Sequence, residues 1–241
     1  MAAIQLLRHA TLLLDLDETT FLVDPMLSEP GEIPPIPNSP NDRENPLVDL
    51  PDVDLEYDAV LVTHRHRDHF DDAAADQLPT DVPILCQPEE ADDFREDGFS
   101  DVRGVEDSIS FEGIDVTRTP ARHGHGDLAE QMGPSSGYVL DGSRTLYLAG
   151  DTVWYEAVPE TVDAHEPDAV VVNAGAAQFV EGEPITMTPE DVGEVRAHVP
   201  DDVPVIADHM EAINHCLAMR EDLATAVEGV TIPENGERVQ L

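Results

Sequence analysis

The sequence contains 241 residues, and its 52 acidic side chains against 12 arginines and no lysine give a formal net charge of −40. A surface that binds nucleic acid needs a basic patch, so this charge balance excludes a nucleic-acid partner. It is typical of a halophilic protein, because the Debye length falls to about 3 Å in 1 M salt and the self-repulsion is then screened.

Short apolar segments rich in Val, Leu and Ile recur along the chain and predict strands, because each is bounded by Asp, Gly or Pro. Several are apolar at nearly every position, which indicates that both faces of their sheets are covered. In chain order they are IQLL, TLLLDL, TFLVD, AVLVT, VPILC, IDVTRT, GYVL, RTLYLAG, AVVVN and VPVIAD.

Helical patterns fall between these strands and predict an α/β fold. The clearest helix covers residues 188–199, with Thr188 as its N-cap, Pro189 as its first helical residue and Asp191 three residues after the cap. Three further helices are predicted within residues 70–78, 88–99 and 215–229.

Residues 25–52 are rich in proline and have no periodicity. They predict a long loop inside one domain covering residues 1–241, because apolar strands continue on both sides. The two cysteines form no CxxC motif, and no segment has the length and hydropathy of a membrane span. We therefore expect a cytoplasmic protein without a membrane partner, and the oligomeric state, a homo-oligomer included, stays open.

Metal-capable side chains follow one predicted strand after another. Asp24, His64, His123, Asp151 and His209 each end such a strand or come shortly after it. The carboxyl ends of strands meet at one edge of an open α/β sheet, so we expect these side chains to converge on one site.

The densest cluster is residues 63–70, with the sequence THRHRDHF. His64 and His66 are two residues apart in extended chain and point the same way, whereas Asp68 and His69 fall where the chain turns into a helix. One ion cannot easily use four ligands tethered so closely, but two ions a few ångströms apart can. Burying these groups together without a cation would be costly. The motif therefore predicts a metal site.

Other residues can complete the site. One can bridge the two ions, and two pairs of histidines each offer a choice of ligand. Asp151, directly after LAG, is the candidate to bridge them. His123 and His125 follow the same strand, and we prefer His123 because it comes first. His209 directly follows its strand, whereas His215 is expected in or near the next helix, either as a pocket residue or as a proton donor to a leaving group.

Together with the strand-end residues, the H-x-H-x-D-H motif resembles the metallo-β-lactamase superfamily over essentially the whole chain. The segments LLRHATLLL, FLVDPML, LAGDT and TMTPED are more similar to its branch of small metal-dependent hydrolases around L-ascorbate-6-phosphate lactonase. The resemblance implies a four-layer αββα sandwich with the site at its rim. Arg8 stands where that branch usually has a glycine, so the resemblance assigns no role to His9.

The resemblance also implies how the metal-capable residues divide between two ions that share one carboxylate. The first ion takes His64, His66 and His123; the second takes Asp68, His69 and His209; the bridge is Asp151. Asp24 orients one of the ligands from behind.

These assignments predict hydrolysis of an ester, lactone or phosphoester bond in a small molecule. Metal binding lowers the pKa of water to about 7, and Asp68 could accept and return its proton. Histidine with carboxylate suits Zn²⁺, Mn²⁺ or Fe²⁺, and we expect two ions of zinc or manganese. The alternatives are a mononuclear iron oxygenase of the same fold, which needs fewer ligands, and a non-enzymatic metal-binding protein, which needs no position open to water.

Overall fold

The computed structural model describes residues 2–241 and contains two seven-stranded sheets. The strands of the first sheet are β1 (Ala2–Arg8), β2 (Thr11–Leu16), β3 (Thr19–Val23), β4 (Ala59–Val62), β5 (Ile84–Cys86), β6 (Val102–Gly104) and β14 (Arg238–Gln240). Those of the second are β7 (Ser108–Phe111), β8 (Ile114–Pro120), β9 (Ser136–Asp141), β10 (Thr145–Leu148), β11 (Ala169–Asn173), β12 (Val205–Asp208) and β13 (Val230–Thr231).

Each sheet is antiparallel in one half and parallel in the other. The first runs in the order β14-β1-β2-β3-β4-β5-β6 and is parallel from β3 onwards. The second runs β13-β12-β11-β10-β9-β8-β7 and is parallel from β10 to β13. The parallel halves place the carboxyl ends of several strands side by side, which is the arrangement that collects a site.

Residues 2–241 contain six α-helices, most of which cover the outer faces of the two sheets. They are α1 (Asp72–Gln77), α2 (Ala91–Glu96), α3 (Gly126–Met132), α4 (Ala157–His165), α5 (Pro189–His198) and α6 (Arg220–Ala226). Alternate side chains of both sheets, such as Leu14 and Leu140, meet in a buried core between them. Phe94 of α2 packs on the outer face of the first sheet, and Val192 of α5 packs on that of the second. The predicted four-layer αββα sandwich is confirmed.

The helix predicted over residues 188–199 is present as α5, and its first turn has the expected cap. The Thr188 side chain accepts from Asp191 N, and the Asp191 side chain accepts in return from Thr188 N. The prediction over residues 215–229 is wrong at its start, because α6 begins only at Arg220. Two helices and the four edge strands were not predicted, because their sequences have no apolar repeat. They are α3, α4, β6, β7, β13 and β14.

The proline-rich segment 25–52 is a loop packed against the body of the protein. Arg8 is buried, and its guanidinium donates to the carbonyl oxygens of Met26 (2.5 Å), Ser28 (2.9 Å) and Val48 (3.2 Å). Asn214 N also donates to Asn45 Oδ1 (2.8 Å), which ties the loop to the segment after β12. None of the helices within residues 2–241 has the length and hydropathy needed to cross a membrane.

Candidate metal centre

Strand ends from both sheets deliver the metal-capable residues to one place, as expected from the sequence. Asp24 follows β3, the motif from His64 to His69 follows β4, Asp151 follows β10 and His209 follows β12. Apart from His66, these metal-capable residues are nearly inaccessible to solvent, the most exposed of them being Asp68 at 6%. His66 is half-buried and therefore lies at the open side of the cluster.

Two glycines allow the loops that carry Asp151 and His209 to pack closely. Gly150 has a φ of +65°, and a Cβ there would lie 2.5 Å from Ser136 O. A Cβ on Gly175 would lie 2.1 Å from the carbonyl oxygen of His209. No other residue fits without moving the backbone, so both glycines preserve the shape of the site.

His64, His66 and His123 form the first ligand group. His64 Nε2 and His66 Nδ1 are 2.9 Å apart. His123 Nε2 lies 3.4 Å from Asp151 Oδ2, and His64 Nε2 lies 3.8 Å from the same oxygen. The three imidazoles thus face one point beside the Asp151 carboxylate.

Asp68, His69 and His209 form the second ligand group, and His9 offers a further ring nitrogen within the same cluster. His69 Nε2 and His209 Nε2 are 3.1 Å apart. Asp68 Oδ2 lies 3.8 Å from His209 Nε2 and 3.2 Å from His9 Nε2. This group is buried more completely than the first.

Asp151 lies between the two groups. Its Oδ2 is 3.4 Å from His123 Nε2 and 3.3 Å from His69 Nε2, and its Oδ1 is 3.2 Å from His209 Nε2. Asn173 Nδ2 donates to Oδ1 at 2.6 Å and fixes the direction of the carboxylate. Asp151 therefore lies within contact distance of histidines in both groups.

Hydrogen bonds behind the cluster hold the rings in place. Asp24 accepts from Thr63 N (2.7 Å) and from the Thr63 hydroxyl (2.7 Å), and its Oδ2 lies 2.8 Å from His69 Nδ1. His66 Nε2 donates to Met132 O (3.0 Å), and His123 Nδ1 donates to the carbonyl oxygen of Ile185 (2.8 Å). With Nδ1 of His69 and His123 and Nε2 of His66 protonated, the opposite ring nitrogens carry free lone pairs that face the cluster.

The donor set fits divalent metal ions. Ligand atoms about 2.0–2.1 Å from a tetrahedral zinc ion are separated by roughly 3.3 Å, which is close to the observed spacings. His69 Nε2 and His209 Nε2 are 3.1 Å apart, a spacing that a shared proton or a shared metal ion would satisfy. Imidazole and carboxylate together suit zinc, manganese and iron.

The electrostatics of the cluster also call for positive charge. Burial lowers the pKa of His69, but the charges of Asp151 and Asp24 outweigh it and the pKa lies well above its usual value. Burial opposes ionisation of Asp151, yet the charges of His209, His69 and His123 keep its pKa well below the usual range. The Asp151 carboxylate is thus held in the ionised form that binds metal.

Sequence reasoning left His9 without a role, but the structure brings it to the centre. It follows β1, adopts a φ of 59°, and its carbonyl oxygen accepts from His209 N at 3.0 Å. Burial lowers its pKa to about 3, so the ring is neutral.

Asn173 and Asp208, at the ends of β11 and β12, were also missed, although the same strand-end pattern marks both. Burial raises the pKa of Asp208 well above its usual value, with Asp24 adding to the effect.

The two alternative histidines lie outside the ligand groups found among residues 2–241. His125 is half-buried at the residue before α3. His215 is not helical, because α6 begins five residues later; it is 5% exposed and its ring stacks on Phe179 at 5.9 Å. Burial lowers its pKa to about 4, with smaller effects from Asp68 and His209. His215 is therefore a neutral side chain beside the cluster.

A buried centre of histidine and carboxylate at the shared edge of two sheets defines a metal-dependent enzyme of the αββα class. Residues 19–210 match the family model described as the Beta-lactamase superfamily domain. The chain is 37% identical to the UPF0173 protein YddR of Bacillus subtilis, over 96% of both chains. It therefore belongs to the β-lactamase superfamily and to its UPF0173 group of metal-dependent hydrolases.

Two solved structures are similar over nearly their full length. One is a possible metal-dependent hydrolase from Veillonella parvula, with 31% identity, a TM-score of 0.95 and 100% of both chains covered. The other is isothiocyanate hydrolase from Delia radicum gut bacteria, with 33% identity, a TM-score of 0.93 and 99% of both chains covered. The predicted metallo-β-lactamase fold and the prediction of a metal-dependent hydrolase are confirmed.

Proposed function

We propose that this protein hydrolyses a small uncharged molecule at an electrophilic carbon with the help of two divalent metal ions, zinc or manganese, which the two ligand groups and Asp151 would hold. The observation that carries the proposal is the position of Asp151, whose carboxylate lies within 3.4 Å of His123 Nε2 in the first group and within 3.3 Å of His69 Nε2 and His209 Nε2 in the second. Two such ions supply water of lowered pKa and polarise the bond under attack.

The protein's own residues then handle the proton. Asp68 is kept ionised, because contacts with His9 and the charge of His69 outweigh the effect of its burial on its pKa. An ionised carboxylate among the ligands can accept a proton from water and return it later. Burial lowers the pKa of His215 to about 4, so its ring is neutral; we assign it a hydrogen bond to the leaving group, while Asp68 returns the proton.

A cavity of about 750 Å³ beside α3 supports an uncharged substrate. Two of its lining residues contact site histidines: the Met132 carbonyl accepts from His66 Nε2, and the Phe179 ring stacks on His215. The lining contains no cationic side chain; it consists of Pro37, Asn38, Leu128, Gln131, Met132, Phe179, Val180 and Glu181. Such a surface suits an apolar substituent and offers no counter-charge to a phosphate.

A second cavity, of about 590 Å³, lies on the other side of α3 and is lined by Arg118, Arg122 and His123 among others. Both arginines are engaged by the protein itself. Arg118 pairs with Glu89 at 3.0 Å, and Arg122 lies over the Tyr155 ring at 4.3 Å with Glu156 at 3.9 Å. This cavity therefore gives a phosphoester substrate little support.

Isothiocyanates are the substrate class that we favour, with esters and lactones next. The support is the similarity to the isothiocyanate hydrolase, which extends over 99% of both chains. Water adds to the central carbon of R–N=C=S, the carbon–nitrogen bond breaks, and the products are the amine R–NH₂ and carbonyl sulfide. Both protons of water end on nitrogen, which is the transfer that Asp68 would serve.

Elemental metal analysis of protein purified in high salt, combined with a substrate panel, tests the proposal. The panel contains phenyl isothiocyanate, p-nitrophenyl acetate, γ-butyrolactone and bis(p-nitrophenyl) phosphate. We expect about two equivalents of zinc or manganese and fastest turnover of the isothiocyanate. One equivalent of metal would contradict the dinuclear site, and preference for the phosphodiester would contradict the substrate class.

A further inference from the structure

In each site histidine, one ring nitrogen faces the cluster and the other faces away from it. The site histidines differ in the hydrogen-bond partner of the nitrogen that faces away. In five of them that nitrogen has a partner: Thr63 Oγ1 for His64 (3.0 Å), Met132 O for His66 (3.0 Å), Asp24 Oδ2 for His69 (2.8 Å), Ile185 O for His123 (2.8 Å) and Cys216 Sγ for His209 (3.7 Å). Histidines that bind metal almost always donate their second N–H to such a partner.

His9 lacks this arrangement. Its Nε2 lies 3.2 Å from Asp68 Oδ2, but its Nδ1 is buried and has no hydrogen-bond partner among residues 2–241. If Nε2 bound a metal ion, the proton would sit on Nδ1 and a buried N–H would have no acceptor, which is costly. With the proton on Nε2, the short contact with Asp68 becomes a hydrogen bond to a carboxylate.

The backbone and ring of His9 link the two loops of the second ligand group. The His9 carbonyl accepts from His209 N (3.0 Å), and its ring lies against the His209 ring with centroids 3.6 Å apart. The side chain is 1% exposed and cannot swing away without opening the core. His9 is thus fixed to one loop and reaches Asp68 on the other.

We propose that His9 is a positioning residue: it donates Nε2–H to Asp68 Oδ2 and sets the direction of that carboxylate, and it does not bind metal itself. The inference rests on the metal centre proposed above. It separates His9 from the five histidines whose rings are held as ligands.

Three substitutions of His9 test the inference. In His9→Gln the amide nitrogen lies about as far from the backbone as Nε2 and can still donate to Asp68. In His9→Asn the amide nitrogen falls near the position of Nδ1 and cannot, and His9→Ala removes the donor altogether. His125→Gln, at a half-buried histidine outside the ligand groups, is the control.

The readouts are metal equivalents, zinc affinity by chelator competition, and the pH profiles of kcat and KM with phenyl isothiocyanate and p-nitrophenyl acetate. We expect every variant to keep two equivalents. His9→Asn and His9→Ala should lose about 10–100-fold in kcat with a shifted pH profile and little change in KM, and His9→Gln should restore most of the loss.

Loss of one metal equivalent in both His9→Gln and His9→Ala would overturn the inference and make His9 a ligand. Equal loss of kcat in His9→Gln and His9→Ala, with both metals retained, would overturn the donor role. If wild type hydrolyses neither probe, the proposed substrate class fails, but the metal equivalents of the His9 variants still decide whether His9 is a ligand. If His9→Ala does not fold, His9→Asn provides the same comparison.

Discussion

The two ligand groups of the metal centre are held by different kinds of partner. In the first, His66 and His123 donate to the backbone carbonyl oxygens of Met132 and Ile185. In the second, His69 faces the carboxylate of Asp24. A carboxylate behind a histidine raises the basicity of the ligand more than a neutral carbonyl does. We therefore expect the second group to bind its metal ion more tightly, and the first group to exchange its metal ion with solvent more readily.

Asp151→Asn should have the largest effect, because it removes the charge shared by both groups. We expect kcat to fall by about 10³-fold or more, and the metal content to fall below two equivalents. Steady-state kinetics and elemental analysis measure both. Asp115→Asn, an exposed position on β8, is the matched control and should behave as wild type. An Asp151 variant with full activity would rule out the shared carboxylate.

Asp24→Asn should weaken the second group selectively. The amide would place a donor against His69 Nδ1, and the affinity of that group for metal should fall by about 10–100-fold. The first group should change less, because Asp24 reaches it only through the Thr63 hydroxyl, which lies 3.0 Å from His64 Nδ1. Chelator competition followed by metal analysis resolves the two affinities. An equal loss of metal affinity in both groups would show that the hydrogen-bond partners do not set the affinity of each group separately.

Chelation of the wild-type protein should proceed in two phases. The first group has the half-buried His66 and only neutral partners, so its metal should leave about ten times faster than that of the second group. Timed metal analysis during exposure to a chelator follows the two phases. Release in a single phase would mean that Asp151 couples the groups too strongly for the partners to matter.

Salt should stabilise the fold as a whole. It should not change which of the two ligand groups binds metal more tightly. With a net charge of −40, the folded chain repels itself until salt screens it. Raising KCl from about 0.2 to 2 M should raise Tm by about 5–10 °C, or roughly 2–3 kcal/mol for a chain of this size. Thermal melts followed by circular dichroism measure the shift. A flat response would contradict a halophilic origin of the charge.

Much of the fold followed from short apolar segments and one cap. All ten predicted strands are present, and the Thr188 cap correctly placed the start of α5. The helix predicted over residues 215–229 begins five residues later than expected, because residues 210–219 fold into turns that meet the proline-rich loop through Asn214. That loop lies far away in the sequence, and no local pattern indicates the contact. The single domain, the cytoplasmic location and the oligomeric state stay predictions.

The sequence by itself determined the metal-binding motif, because His64, His66, Asp68 and His69 are neighbours in the chain and their directions follow from one strand end. Only the tertiary structure decided how His9 and Asn173 take part. His9 follows β1 in the first sheet and His209 follows β12 in the second, and their backbones bond across 200 positions. That contact depends on how two sheets stack, and stacking is set by the whole buried core rather than by any local run of residues.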